Sequence, residues 1–131
     1  MENQITCTEI YESALAMIGE RCAAQNADYA ERAPYLLAAF CGEAGGIDRL
    51  YRKAKGCGEQ PEFGAVMIEL ASHFPLSSRF FGPASLYLAA MLVLDEDEEL
   101  SDRLYGRYCD AMSAICSEVG ATEKIIDVYQ Y

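Results

Sequence analysis

The chain has no tryptophan and one histidine, His73. A single imidazole, with no C-x-x-C pair anywhere, leaves no zinc-binding spacing, and no metal or cofactor is expected. Basic residues are scarce: 10 Lys and Arg stand against 21 Asp and Glu, for a formal charge of −11. Non-specific nucleic-acid binding needs clustered cations to displace counterions, so tight phosphate binding is excluded. G-x-S-x-G, the P-loop, the dinucleotide fingerprint and H-E-x-x-H are all missing, and no nucleophile sits beside a base. The expectation is a protein that is not an enzyme. The opening Met-Glu-Asn-Gln-Ile-Thr has neither a basic n-region nor an apolar h-region, which predicts a cytoplasmic protein. Long apolar runs are also lacking. Gly82 to Leu94 is uncharged, but a bilayer span needs roughly 20 residues, so no membrane partner is expected.

What is present reads as helix. Gly82–Leu94 is apolar almost all round, with Pro83 suited to a first turn, which predicts a central core helix buried on most sides. It is expected to start as early as Ser78 and to bend at Pro83. Thr6-Cys7-Thr8-Glu9 has the form of a capping box, and Ile10, Ala14, Met17 and Ile18 recur at helical spacing, predicting a first helix from about Thr8 to Ala23. Tyr29, Ala33, Leu37, Phe40, Ala44 and Ile47 mark a long second helix, with Pro34 inside it and a bend or interruption expected near Gly45–Gly46. Leu100, Leu104, Tyr108, Ala111, Met112 and Ile115 mark another, from about Asp97 to Val119, with Gly120 as its stop. Val66, Ile68 and Leu70 alternate with their neighbours, which predicts a short strand or extended segment. The six cysteines, Cys7, Cys22, Cys41, Cys57, Cys109 and Cys116, are expected to be free thiols in a reducing compartment.

Three stretches carry the candidate contacts. Arg49, Arg52, Lys53 and Lys55 gather four of the ten cations in seven positions. They either complement a helix C-terminus or meet an acidic partner. Asp95 to Glu99 is an acidic run including Glu98 and Glu99. It lacks the spaced ligands and glycine of a calcium loop and suits a helix start. Residues 123–131 include Ile126, Val128 and Tyr129, and this β-prone, apolar end is expected to act as a docking arm whose named partner is Val66–Leu70. The predicted architecture is a single helical domain over residues 1–131: mostly α, three to four helices bundled around the apolar one, with one short extended segment.

Asp28-Tyr29-Ala30-Glu31-Arg32-Ala33-Pro34-Tyr35-Leu36-Leu37, with Glu43 after it, resembles a segment of the small helical head–tail connector (adaptor) proteins of tailed phages and prophages. Phe74-Pro75-Leu76, Ala84 to Ala90, Asp95 to Leu100 and Tyr108 resemble the later part of the same family. Together they span about half the chain, as a pattern of helix-core residues. The resemblance implies a virion structural protein that forms a ring beneath the portal, with copies of itself and other phage structural proteins as partners and no catalytic residues. Closed rings use heterologous contacts, and Arg49–Lys55 against Asp95–Glu99 are the complementary patches in this sequence. The alternative is a cytoplasmic bacterial helical protein–protein interaction or regulatory module unrelated to virions.

Overall fold

Thr6 opens the first helix in the way its sequence predicts. Its hydroxyl accepts the Glu9 N–H at 3.3 Å, and the Glu9 carboxylate accepts the Thr6 N–H at 2.8 Å. In the computed structural model, which describes residues 5–19 and 28–120, this box starts helix α1 at Cys7–Ile18. Cys7, Ile10, Ala14 and Ile18 form its buried stripe. The helix stops at Ile18, short of the expected Ala23, because Gly19 turns the backbone to φ +90°, where residues with a Cβ are strained.

Helix α2 spans Asp28–Lys55 as one long helix, and of the bend or interruption expected near Gly45–Gly46 no interruption occurs. Burial of Ala44, Gly45, Ile47 and Asp48 holds that stretch helical despite its poor propensity. Pro34 lies in the second turn of α2, and its missing N–H would have served the carbonyl of Ala30, an exposed residue, which limits the cost. Gly45 is met by side chains of the following connection. A Cβ there would touch the Phe63 ring at 3.7 Å and Gln60 at 3.8 Å, which are ordinary contacts.

The connection over residues 56–77 is non-helical through Val66–Leu70, where alternation predicts a short strand or extended segment, and it contains no strand. Only Ile68 of that stretch is buried, and Val66 is 72% exposed. The backbone finds its partners elsewhere: Ile68 N–H donates to the Pro34 carbonyl at 3.1 Å, while the Leu70 and Ser72 carbonyls accept the Thr8 and Cys7 N–H groups, each at 2.9 Å. These are first-turn donors of α1, which have no partner within their own helix. The connection therefore closes the N-terminal end of α1. A single β-bridge, Thr6 with His73, is the extent of sheet-like pairing among the described residues.

A 3-10 turn, Ser78–Phe80, leads into α3 at Phe81–Val93. The predicted core helix thus begins three residues later than its earliest expected start. Nine of its thirteen residues are buried, including Leu88, Ala89, Ala90 and Leu92, and it packs against α1, α2 and α4. Its alanines and Ser85 let neighbouring helices approach, while its leucines fill the space between them. Asp97 caps α4, Glu98–Gly120, by accepting the Leu100 N–H at 3.0 Å. Helix initiation is thereby a role that the acidic run performs. Ser101, Leu104, Tyr108, Ile115 and Val119 face inward, and the Ser101 hydroxyl donates to the Ala90 carbonyl of α3 at 2.9 Å. The fold is mostly α, a bundle of helices around the apolar α3. The proposed arm, residues 123–131 with Ile126, Val128 and Tyr129, lies outside the described residues.

Candidate functional site

Asp48 is the one acidic residue among the buried positions of α2, and sequence reading passed over it. Its position follows from the helix. Four residues before Arg52 and one after Ile47, it faces inward at the point where the connection folds back over α2. One carboxylate oxygen accepts Arg52 Nε at 2.8 Å and Gln60 Nε2 at 2.9 Å. The other accepts the Ser77 N–H at 3.0 Å. Arg52 extends the network, donating to the Gly58, Glu59 and Pro75 carbonyls at 3.1, 3.2 and 3.1 Å. A buried carboxylate is costly unless fully paired, and this one is paired three ways. The ion pair pins both ends of the connection to α2.

The predicted contact residues divide accordingly. Arg52 is 13% exposed and works inside the subunit, so its place in the outward basic patch is corrected. Its spacing of four from a carboxylate was the available signal. Arg49 reaches Gln60 at 3.2 Å but stays at the surface, Lys53 is exposed, and the Lys55 ammonium lies 5.9 Å from the Tyr51 ring centre. Glu98 and Glu99 are exposed in the first turn of α4. This acidic end sits beside the start of α2: Tyr29 donates its hydroxyl to Glu96, and Arg32 donates to the Leu92 carbonyl at 3.0 Å. From Tyr29 to Arg52 the helix rises roughly 35 Å at about 1.5 Å per residue. The structure does not bring the two patches together. It sets them at opposite ends of α2.

Two further features are an aromatic group in the core and a cleft at the surface. An aromatic group joins Phe40 of α2, Tyr87 of α3 and Tyr105 and Tyr108 of α4, with ring centres 5.3 to 6.1 Å apart along the chain of contacts. Burial, and then the bond that the Tyr108 hydroxyl donates to Glu43 at 2.9 Å, push that phenol well above its ordinary range. Between the connection and the end of α2 opens a cleft of about 1210 Å³, with Tyr51, Phe63, Met67, Ser77 and the Cys57 thiol in its lining. Cys7 and Cys41 are buried, and burial pushes the Cys7 thiol up to about 11 and the Cys41 thiol in the same direction. No described group of three His, Cys, Asp or Glu side chains is arranged to hold a metal. Among the described residues no helix is long and apolar enough to cross a membrane. Compared with known proteins, the chain matches no family model, no curated protein and no solved structure.

Proposed function

We propose that the chain is a non-catalytic assembly subunit of the head–tail connector kind, joining copies of itself into a ring beneath a portal. The observation that carries this reading is the polarity of the subunit. A basic patch of Arg49, Lys53 and Lys55 stands at one end of α2, and Glu98 and Glu99 stand at the other. Complementary patches at opposite ends favour head-to-tail contacts between neighbours, the heterologous geometry from which closed rings are built. The formal charge of −11 suits a lumen through which DNA slides without being gripped.

The residues behind the family resemblance add support, because they touch one another. Tyr29 meets Glu96, Arg32 meets the last turn of α3, and Glu43 meets Tyr108. The pattern is thus a set of interhelical ties.

Electron microscopy and native mass spectrometry of the purified chain, alone and with a portal protein encoded beside it, test the proposal. Closed rings, or the chain bound at the portal's end, are expected. A chain that stays monomeric and binds no portal, from a gene with no portal, capsid or terminase neighbours, overturns it in favour of a cellular interaction module.

A further inference from the structure

We propose that the outward stripe of α2 is a docking surface for a second copy of this chain, whose own α2 lies antiparallel along it. Tyr35, Ala39, Gly42, Gly46, Arg49 and Lys53 are all exposed, and they follow one another in alternating steps of four and three residues. A period of about 3.5 residues is the seam along which two helices coil around each other. The residues that α2 buries in its own subunit, among them Ala33, Leu37, Cys41, Ala44 and Asp48, lie on the opposite side of the helix.

The two glycines are the observation that points to a partner. Glycine weakens a helix interior relative to alanine, and it suits places where φ is positive or another backbone approaches closely. The subunit itself supplies neither reason. Among the described residues positive φ occurs at Gly19 and Gly56, not at Gly42 or Gly46. A Cβ at Gly42 would meet nothing described within 4 Å, and one at Gly46 would meet only the Arg49 guanidinium at 3.8 Å. With Ala39 they form a flat centre on which a second helix can lie with its axis about 8 Å away, the close end of helix packing. Tyr35, 55% exposed, is the one large side chain beside that centre and gains cover from it.

Charge selects a second copy as the occupant and sets its direction. Asp28 and Glu31 are exposed at the start of α2, Arg49 and Lys53 at its end. Laid antiparallel, the basic end of each copy meets the acidic end of the other, and the two-fold axis makes the contact twice; laid parallel, like charge meets like. The register that sets Lys53 opposite Asp28 also sets Tyr35 of each copy over Gly46 of the other, and Ala39 beside Gly42. Arg32 is drawn aside by the Leu92 carbonyl of α3 at 3.0 Å, which leaves Glu31 to meet Arg49. A chain paired in this way has its basic patch occupied, so the dimer is a form of the free chain and does not depend on the ring reading.

Gly42→Leu with Gly46→Leu tests the contact in the full-length chain. Leucine is the better helix former and the stripe has room for it, so circular dichroism and the thermal midpoint should hold or rise. Sedimentation should show the dissociation constant of the dimer raised about tenfold or more, because the helices can no longer approach. A second measurement uses the unaltered chain and decides even where the leucines disturb folding. Lys53 stands roughly 33 Å from Glu31 along α2, at about 1.5 Å per residue, so a zero-length carbodiimide link between them forms only between copies. Mass spectrometry of the cross-linked dimer should find Lys53 joined to Glu31 or Asp28. The proposal is overturned if the chain sediments as a monomer, if the leucines leave dissociation unchanged in a folded chain, or if the dimer carries no such link.

Discussion

Asp48 shows how much one side chain can hold. It ties Arg52, Gln60 and the Ser77 backbone to a single buried point, and through Arg52 it reaches three more carbonyls. Asp48→Ala leaves a guanidinium mostly buried without its counter-charge, and removing one partner of such a pair costs about 3–5 kcal/mol. The urea midpoint should fall accordingly, and a loss below about 1 kcal/mol would mean that apolar contacts alone hold the connection. Cys7 makes a prediction in pH. Its folded thiol titrates at about 11 against an ordinary 9.0, so between those values the unfolded chain releases a proton that the folded chain keeps. Stability is unaffected by this group below pH 9 and falls as pH rises from there through about 11. Cys41 adds to the fall in the same direction. Chemical denaturation at successive alkaline pH values should show the decline, and Cys7→Ala should flatten part of it.

At the scale of elements, α3 is the part on which the others depend. Leu88 has no exposed surface and Leu92 almost none, one turn apart on a helix touched by α1, α2 and α4. Leu88→Ala should cost about 2–5 kcal/mol through lost burial plus the cavity left behind. A calorimetric or denaturant loss under about 1 kcal/mol would show that the face packs loosely. Local rules identified this helix because an uncharged segment bounded by an acidic run has only the interior to occupy. They identified α1 by its capping box, whose two bonds form within three residues of each other. They kept Val66–Leu70 out of the helices, as a short strand or extended segment, and no strand forms there because period-two alternation makes a strand only where a second strand is available to pair with. Here the partners are helix backbones: Ile68 N–H donates to the Pro34 carbonyl of α2, and the Leu70 carbonyl accepts the Thr8 N–H of α1.

For the whole molecule, the arrangement of charge matters more than its total. The cations that face outward at the end of α2 are Arg49, Lys53 and Lys55, so the assembly test belongs to them. Reversing Arg52 would break the Asp48 network and report on folding. Arg49→Glu with Lys53→Glu should weaken self-association measured by light scattering, and Glu98→Lys with Glu99→Lys in the same chain should restore part of it. Added salt should weaken the wild-type contact, since exposed charges are screened beyond about 8 Å at physiological ionic strength. Association indifferent to both salt and reversal would remove these patches from the interface.

The helical class, the buried α3, the start of α1 and the helix-initiating role of the acidic run were legible in the order of the residues. Each of these depends on residues within a turn or two of one another, where spacing alone sets the outcome. The rest followed from long-range packing. It turned Arg52 from a surface cation into an internal tie, because Gln60 and Ser77 reach Asp48 only once the connection has folded over α2. It placed the basic and acidic patches at opposite ends of the subunit, because Tyr29 and Glu96 are 67 positions apart in sequence and become neighbours only through helix packing.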